Sequence, residues 1–423
     1  MSSDWSIAKF GEVTINFDTR RKPVKEADRK PGPYPYYGAS GVVDHVESYL
    51  FDGDYLLIAE DGENLRTRQT PIAFMASGKF WVNNHAHIVT GNEKASTRYL
   101  QYALLGTDIH PYLTGAVMPK LTQGNMNKIE VPCPPWSVQD KIVGVLGTLD
   151  DRIALLRETN ATLEAIAQAL FKSWFVDFDP VHAKQKGRAP EGMDEATAAL
   201  FPDSFEESEL GLVPRGWRAG TLADVTTVKG GFAYKSEAFG TEGLPVIKIK
   251  NIVGDGTVNL LDCQYISAEI AEKTKKFVLK DGDIVIAMTG ATIGKTGVVV
   301  TVDNQMPYLN QRVAKLEANS SGHNNSWFVY VAFQNSFIFD QVVNAASGSA
   351  QPNISTNGIE SVRLVLPSKS ELLSTFNDIV SPLFNSWMAN AKQAQTLATL
   401  RDTLLPRLIS GQLRLTNMEG VVS

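Results

Sequence analysis

Several groups of residues in this 423-residue chain have types and spacings that invite a chemical reading. Thr289-Gly290-Ala291-Thr292-Ile293-Gly294-Lys295-Thr296 comes within one residue of a phosphate-binding loop, but Thr289 stands where the first glycine is required. Such a loop also opens a helix. Here Gly297 and the run Val298-Val299-Val300-Thr301-Val302 follow, so a strand-to-strand turn displaying Lys295 is expected. His85 and His87 fall on one face of an expected strand, with no cysteine or acidic cluster evident nearby, which argues against a metal centre. Asp52, Asp54, Glu60, Asp61 and Glu63 crowd one region and read as acidic turns flanking a buried strand. Cys133 and Cys263 are the only cysteines and stand far apart, which suits a reducing cytoplasm and suggests neither a disulfide framework nor a metal site.

Cys133-Pro134-Pro135-Trp136 resembles the Asn/Asp-Pro-Pro-aromatic motif of amino-methyltransferases, but the polar residue that would hold a target amine is missing. No glycine-rich cofactor loop accompanies it, so the prolines read as a joint between a domain and a helix. The remaining chemistry lies in cations and amides on loops. Arg20, Arg21, Lys22, Lys25, Arg29 and Lys30 fall within eleven residues, just ahead of Tyr34, Tyr36 and Tyr37. Arg66 and Arg68 follow a Gly-Glu-Asn turn, and Lys120, Gln123 and Asn125 share a polar loop. Farther on come Lys229, Phe232, Tyr234 and Lys235, then Lys248 and Lys250, then Lys295, Arg312, Gln351 and Asn353. Arg and Lys hold phosphates or read guanine, and Asn and Gln read adenine. Solvated loops are polar in any protein, so no single residue decides; the recurrence of such loops at equivalent places points to DNA.

That recurrence is an internal duplication. Phe10-Gly11-Glu12-Val13 matches Leu222-Ala223-Asp224-Val225, and Gly53-Asp54-Tyr55-Leu56-Leu57-Ile58-Ala59 matches Gly282-Asp283-Ile284-Val285-Ile286-Ala287. Asn84 parallels Asn310, and Pro119-Lys120-Leu121-Thr122 parallels Pro352-Asn353-Ile354-Ser355. Each copy ends at prolines and leads into a long helical pattern. Ser137 to Asp140 and Ser368 to Glu371 have capping-box spacing. The first apolar stripe runs Ile142, Val145, Leu149, Ile153, Leu156, Leu163, Ile166, Leu170, Trp174, with Asn160 as a polar seam residue. The second runs Leu372, Phe376, Ile379, Leu383, Trp387, Ala394, Leu397, Leu400, Leu404, Leu408. Spacings of three and four mark coiled-coil seams. Pro382 should kink the second helix, Pro406 kink or end it, and Gly411 stop it.

The expected fold is α+β: domains at 1–135 and 217–367, long helices at 136–178 and 368–415, and a linker at 179–216 with a short helix at 194–201. The net charge of −6 is concentrated at −3 in each of residues 136–180 and 181–216, leaving both domains near neutral. A chain so balanced is not expected to hold DNA by phosphate contacts alone. No apolar run reaches the length of a membrane span, and the N-terminal residues lack the pattern of a secretion signal.

The layout resembles the specificity subunits of type I restriction–modification enzymes over nearly the whole chain. The resemblance is carried by Pro214-Arg215-Gly216-Trp217, by Gly282 to Ala287, by the loop Ser347-Gly348-Ser349-Ala350-Gln351-Pro352-Asn353-Ile354-Ser355, and by Leu404-Leu405-Pro406-Arg407-Leu408-Ile409-Ser410-Gly411. It implies two target-recognition domains, each reading half of a bipartite double-stranded DNA site, related by a pseudo-twofold repeat and joined by two antiparallel helices. It further implies two modification subunits bearing S-adenosylmethionine and restriction subunits using ATP and magnesium, with no catalysis and no cofactor in this chain. The first copy departs from the pattern at Leu113-Thr114-Gly115-Ala116-Val117-Met118, where no Ser-Gly-Ser loop stands. A helical scaffold without DNA reading and a fused restriction–methylation enzyme are the competing readings; the missing methylase motifs count against the second.

Overall fold

The computed structural model describes residues 5–415 apart from 69, 253, 255, 303–305, 320–325 and 347–351. The chain forms two compact units, Met1–Arg152 with Leu397–Ser423, and Ile153–Thr396.

In the first unit the continuous apolar run Tyr55–Ala59 is a central strand, as a strand buried on both faces should be. It lies in a four-stranded sheet ordered Thr14–Asn16, Ala86–Gly91, Tyr55–Ala59, Ala73–Ala76. A second four-stranded sheet is ordered Gly41–Val46, Pro31–Gly38, Lys79–Val82, Phe51–Asp52. Strands Ser6–Lys9 and Glu130–Cys133 pair antiparallel. Helix Thr97–Leu105 starts where the Ser96 hydroxyl accepts the Tyr99 N–H, and it buries Tyr99, Leu100, Tyr102, Ala103 and Leu104 in the core.

The second unit repeats the plan. Arg218–Thr221 pairs with Arg363–Leu366, and a four-stranded sheet is ordered Thr226–Gly230, Val313–Ala318, Ile284–Ala287, Thr296–Val298. The repetition extends to single hydrogen bonds. Phe10 N–H donates to the Ile129 carbonyl as Leu222 N–H does to Val362. The four-residue matches at Phe10 and Leu222 both form 3-10 turns in which the acid closing the match accepts the backbone N–H three residues earlier, Glu12 from Lys9 (3.3 Å) and Asp224 from Thr221 (2.8 Å). Gly53 (φ +129°) and Gly282 (φ +82°) both occupy the left-handed region ahead of the central strand. One sequence match is off by a residue: Asn83, not Asn84, is the partner of Asn310. Asn83 Oδ1 accepts the His85 N–H (2.8 Å) as Asn310 Oδ1 accepts the Arg312 N–H (3.3 Å).

Both long helices are 40 residues, Trp136–Phe175 and Ser370–Ile409. Within the first unit Arg401 Nη1 meets Asp150 Oδ1 at 2.8 Å, and Ile142 and Leu146 share a core with Leu408 and Ile409. Within the second, Asn160 bonds to Trp387 and Asn390, and Phe171 packs on Phe376. In each unit positions rise on one helix as they fall on the other, so the helices run antiparallel there. The first helix begins at Trp136, so Ser137 is inside its first turn and does not cap it. Gln139 instead lies fully buried, its Oε1 accepting the Ser96 N–H and its Nε2 donating to the Lys94 and Pro134 carbonyls. The second starts at Ser370, later than a cap at Ser368 would place it, and it runs on through Pro382 and Pro406. Gly411 (φ +72°) stops it as expected. Ile166, Ile379 and Leu400, expected in the seams, are exposed, while Ala167, Phe171, Val380 and Phe384 are buried.

Residues 179–216, expected as a linker, are folded. They form helices Asp179–Gln185 and Glu195–Ala198 and the hairpin Phe205–Ser208/Gly211–Pro214. Phe178 packs edge-to-face on Trp217, the Phe201 ring lies tilted beside it, and Pro180 and Val181 are buried. Aromatic side chains scattered among prolines carry no periodicity, so the sequence pattern concealed this packing.

Candidate nucleic-acid interface

In the second unit one end of the four-stranded sheet gathers loops from distant parts of the chain. Gly230 closes the first strand, Gln311 and Arg312 precede Val313, Met288 and Thr289 follow Ala287, and Lys295 precedes Thr296. Strand Leu244–Ile247 runs parallel to Tyr308–Leu309, and the Asn310 N–H donates to the Ile247 carbonyl, which brings Lys248 and Lys250 to the same end. Pro352–Ile354 closes the cluster: Gly290 N–H donates to Pro352 O (3.1 Å), Ile354 N–H to Met288 O (3.0 Å), and Thr289 bridges Asn353.

Arg312, Lys235 and Asn353 are exposed there. Lys250 pairs with Asp262 at 2.9 Å, and Lys229 with Glu317. Lys248 sits 3.5 Å from the centre of the Phe239 ring and bonds to Gln264. Burial, then the charges of Lys250 and Arg312, lower its pKa. Lys295 is half-buried beside Gly254, in a turn between two strands as expected. Tyr234 is not available to a ligand: it is 8% exposed and its hydroxyl bonds to Thr274 Oγ1. Gln351 lies outside the described residues.

The first unit has the same frame with different side chains. Gly62 N–H donates to Pro119 O (3.2 Å), Leu121 N–H to Glu60 O (2.8 Å), and Asp61 bridges Lys120. His85 Nδ1 lies 2.8 Å from Asp61 Oδ2. His87 is buried, with Nδ1 2.5 Å from Asp18 Oδ2 and Nε2 2.7 Å from the Leu121 carbonyl. The histidines therefore do have acids beside them, contrary to the expectation from sequence. Among the described residues, however, no group of three or more His, Cys, Asp and Glu is placed to hold a metal. Burial raises the Asp18 and Glu60 carboxyls, but hydrogen bonds from His87 and Arg21 respectively, with the surrounding charges, hold both below the usual range.

Several cations expected to face DNA are structural. Arg21 is tied to Glu60 (2.6 Å), Asp18 and the Ala86 carbonyl. Arg68, at φ +49°, donates to the Leu105 and Thr107 carbonyls, and burial lowers its pKa. Arg66 braces the Gly115 and Ala116 carbonyls, Arg20 lies 4.7 Å from the Phe51 ring centre, and Asn125 Nδ2 donates to Tyr112 O. Lys22, Lys25 and Gln123 are exposed, and Lys120 is partly free while pairing with Glu60 at 3.2 Å. The Asp61–His85 pair was missed. An alignment anchored on Asn83 would have set it opposite Thr289 and Arg312.

Loops of cations, amides and one acid–imidazole pair at the end of a twice-built sheet suit recognition of a polar ligand edge. Residues 2–165 and 214–396 match the family described as type I restriction modification DNA specificity domain. The chain belongs to that family, that of the specificity subunits of type I restriction–modification systems. The MjaIX specificity subunit of Methanocaldococcus jannaschii is 24% identical over 437 residues, covering 98% of this chain and 95% of its own. The HindI specificity subunit of Haemophilus influenzae is 25% identical over 410 residues, covering 86% and 84%. The crystal structure of an S subunit from M. genitalium shares the fold, with a TM-score of 0.56, 16% identity and coverage of 98% and 97%.

Proposed function

We propose that this chain reads a bipartite double-stranded DNA target, one half per unit, and directs methylation and restriction subunits to it without catalysing either reaction. The observation that carries this reading is the frame built twice, hydrogen bond for hydrogen bond, with different side chains at the same sheet end. A scaffold needs the frame; only a reader of two different sequences needs the difference. The paired helices act as a coiled-coil spacer between the readers. Their exposed Leu155, Ile166, Ile379 and Leu400 give two modification subunits apolar surface to dock on. S-adenosylmethionine belongs to those subunits, and ATP with magnesium to the restriction subunits. Among the described residues no helix is long and apolar enough to cross a membrane, and the reading places the complex on cytoplasmic DNA. Footprinting of the chain assembled with its modification subunits tests the proposal. Two patches of base-specific protection separated by an unread gap are expected; one continuous patch, or none, overturns it.

A further inference from the structure

The two half-sites of a bipartite target share their phosphates and differ in their bases. A position that holds phosphate should therefore keep its charge in both copies, whereas a position that reads bases is free to diverge. One position diverges completely while its backbone does not. His85 and Arg312 each lie two residues after the asparagine whose side chain accepts their N–H, and each is the last residue before an equivalent strand. Their neighbours correspond as well: Asp61 bridges Lys120 as Thr289 bridges Asn353.

The chemistry at this shared place is opposite. In the first unit the imidazole is held by a carboxylate, with His85 53% and Asp61 23% exposed at the side chain. In the second unit threonine replaces the acid, and among the described residues the exposed Arg312 guanidinium has no hydrogen bond or ion pair. Lys248 and Lys250 lie close by and lack an acid shared with Arg312. A carboxylate repels a phosphate, so the place cannot be a phosphate seat in the first unit, and the common frame assigns the same role in the second.

Resting on the reading of the chain as a bipartite DNA reader, we propose that this position is the base-reading position of both units. Arg312 takes the O6/N7 edge of a guanine, and the Asp61–His85 pair takes the exocyclic amino group of a cytosine or adenine. Both assignments follow from donor and acceptor patterns in the major groove: a guanidinium forks onto two acceptors, and a carboxylate accepts from an amino group.

The test uses the full chain assembled with its modification subunits. Methylated adenines are mapped across host DNA, and binding is measured against salt. Arg312→Gln should change or relax one base in one half-site and lower affinity for the original site about ten- to a hundredfold. Affinity for DNA already altered at that base should barely move. Arg312→Lys keeps the charge and a donor for the guanine edge but loses the planar fork, so it should weaken the base discrimination less than Arg312→Gln does and keep the salt slope. Asp61→Asn should change one base in the other half-site only. A uniform loss of affinity for all sequences, with the salt slope smaller by about one for Arg312→Gln, would mark a phosphate contact and overturn the inference. An unchanged motif and affinity would overturn it too. If the unmodified complex gives no two-part motif, the reading beneath the inference falls with it.

Discussion

Asp18 shows how a single residue is held in this protein. It accepts from His87 at 2.5 Å and from the Ile88 N–H at 2.9 Å, and Arg21 lies 3.4 Å away. Burial opposes its ionisation, but His87 and Arg21 outweigh burial and hold its pKa below the ordinary value of 3.8. A carboxyl depressed in the folded state adds stability that is present above its unfolded value and lost as pH falls through the folded one. Thermal melts should therefore show the first unit weakening below about pH 4. Asp18→Asn should lower stability at neutral pH by about 1–3 kcal/mol, because partners are left unpaired, and it should flatten the acid limb. An unchanged acid limb would show that Asp18 does not carry it. This network also explains why the site was only half legible. Arg21 and Lys22 are neighbours of the same charge, yet one is locked under Glu60 and the other is exposed. Composition finds a basic stretch; only the partner across 39 residues decides which cation remains free.

The long helices were legible as elements, because a stripe repeated at three and four residues over such a length has no other stable form. Their exact seam was not. Where two apolar residues adjoin, as at Ile166 with Ala167 and Ile379 with Val380, the pattern allows either, and packing takes Ala167 and Val380. The polar position at Asn160 was legible and its partner was not. Asn160 Nδ2 donates to the Trp387 carbonyl at 2.9 Å, and its Oδ1 accepts from Asn390 Nδ2 at 3.0 Å. Asn160→Leu and Asn390→Leu each leave a half-buried amide without its partner, costing about 1–3 kcal/mol. The double variant should recover part of that loss, since replacing both partners by apolar groups is close to neutral. Denaturant unfolding of the four proteins measures the coupling. Strictly additive losses would mean that the two amides act separately.

For the whole molecule, the duplication was the informative signal, since matches recurring in the same order define two copies before any element is assigned. The folded state of residues 179–216 and the division into units were hidden, because both depend on contacts between segments remote in sequence. If each unit reads its own half, replacing residues 217–367 by the matching segment of a relative should change one half of the methylated motif and leave the other unchanged. Methylome sequencing of such a chimera decides it; a simultaneous change in both halves would contradict independent readers. The purified chain alone should neither methylate, cleave nor hydrolyse ATP, and a robust rate for any of these in radiometric or phosphate-release assays would defeat the non-catalytic reading.

The core of the first unit contains Leu408 and Ile409, and the Ile409 side chain lies against Gly106 at the end of helix Thr97–Leu105. The unit that begins the chain is thus closed by its last helix, with the second unit encoded in between. On a ribosome the second unit can complete its core as soon as it emerges. The first must wait with an open seam for roughly 10–50 s while the intervening residues are made. Birth order and folding order are therefore inverted, and the open seam is a natural chaperone substrate during that interval. A chain ended after Thr396 should keep the second unit resistant to protease and leave the first one digestible, because each lost aliphatic side chain removes about 2–5 kcal/mol of burial. Equal resistance of both units in that chain would mean that the first closes without the returning helix.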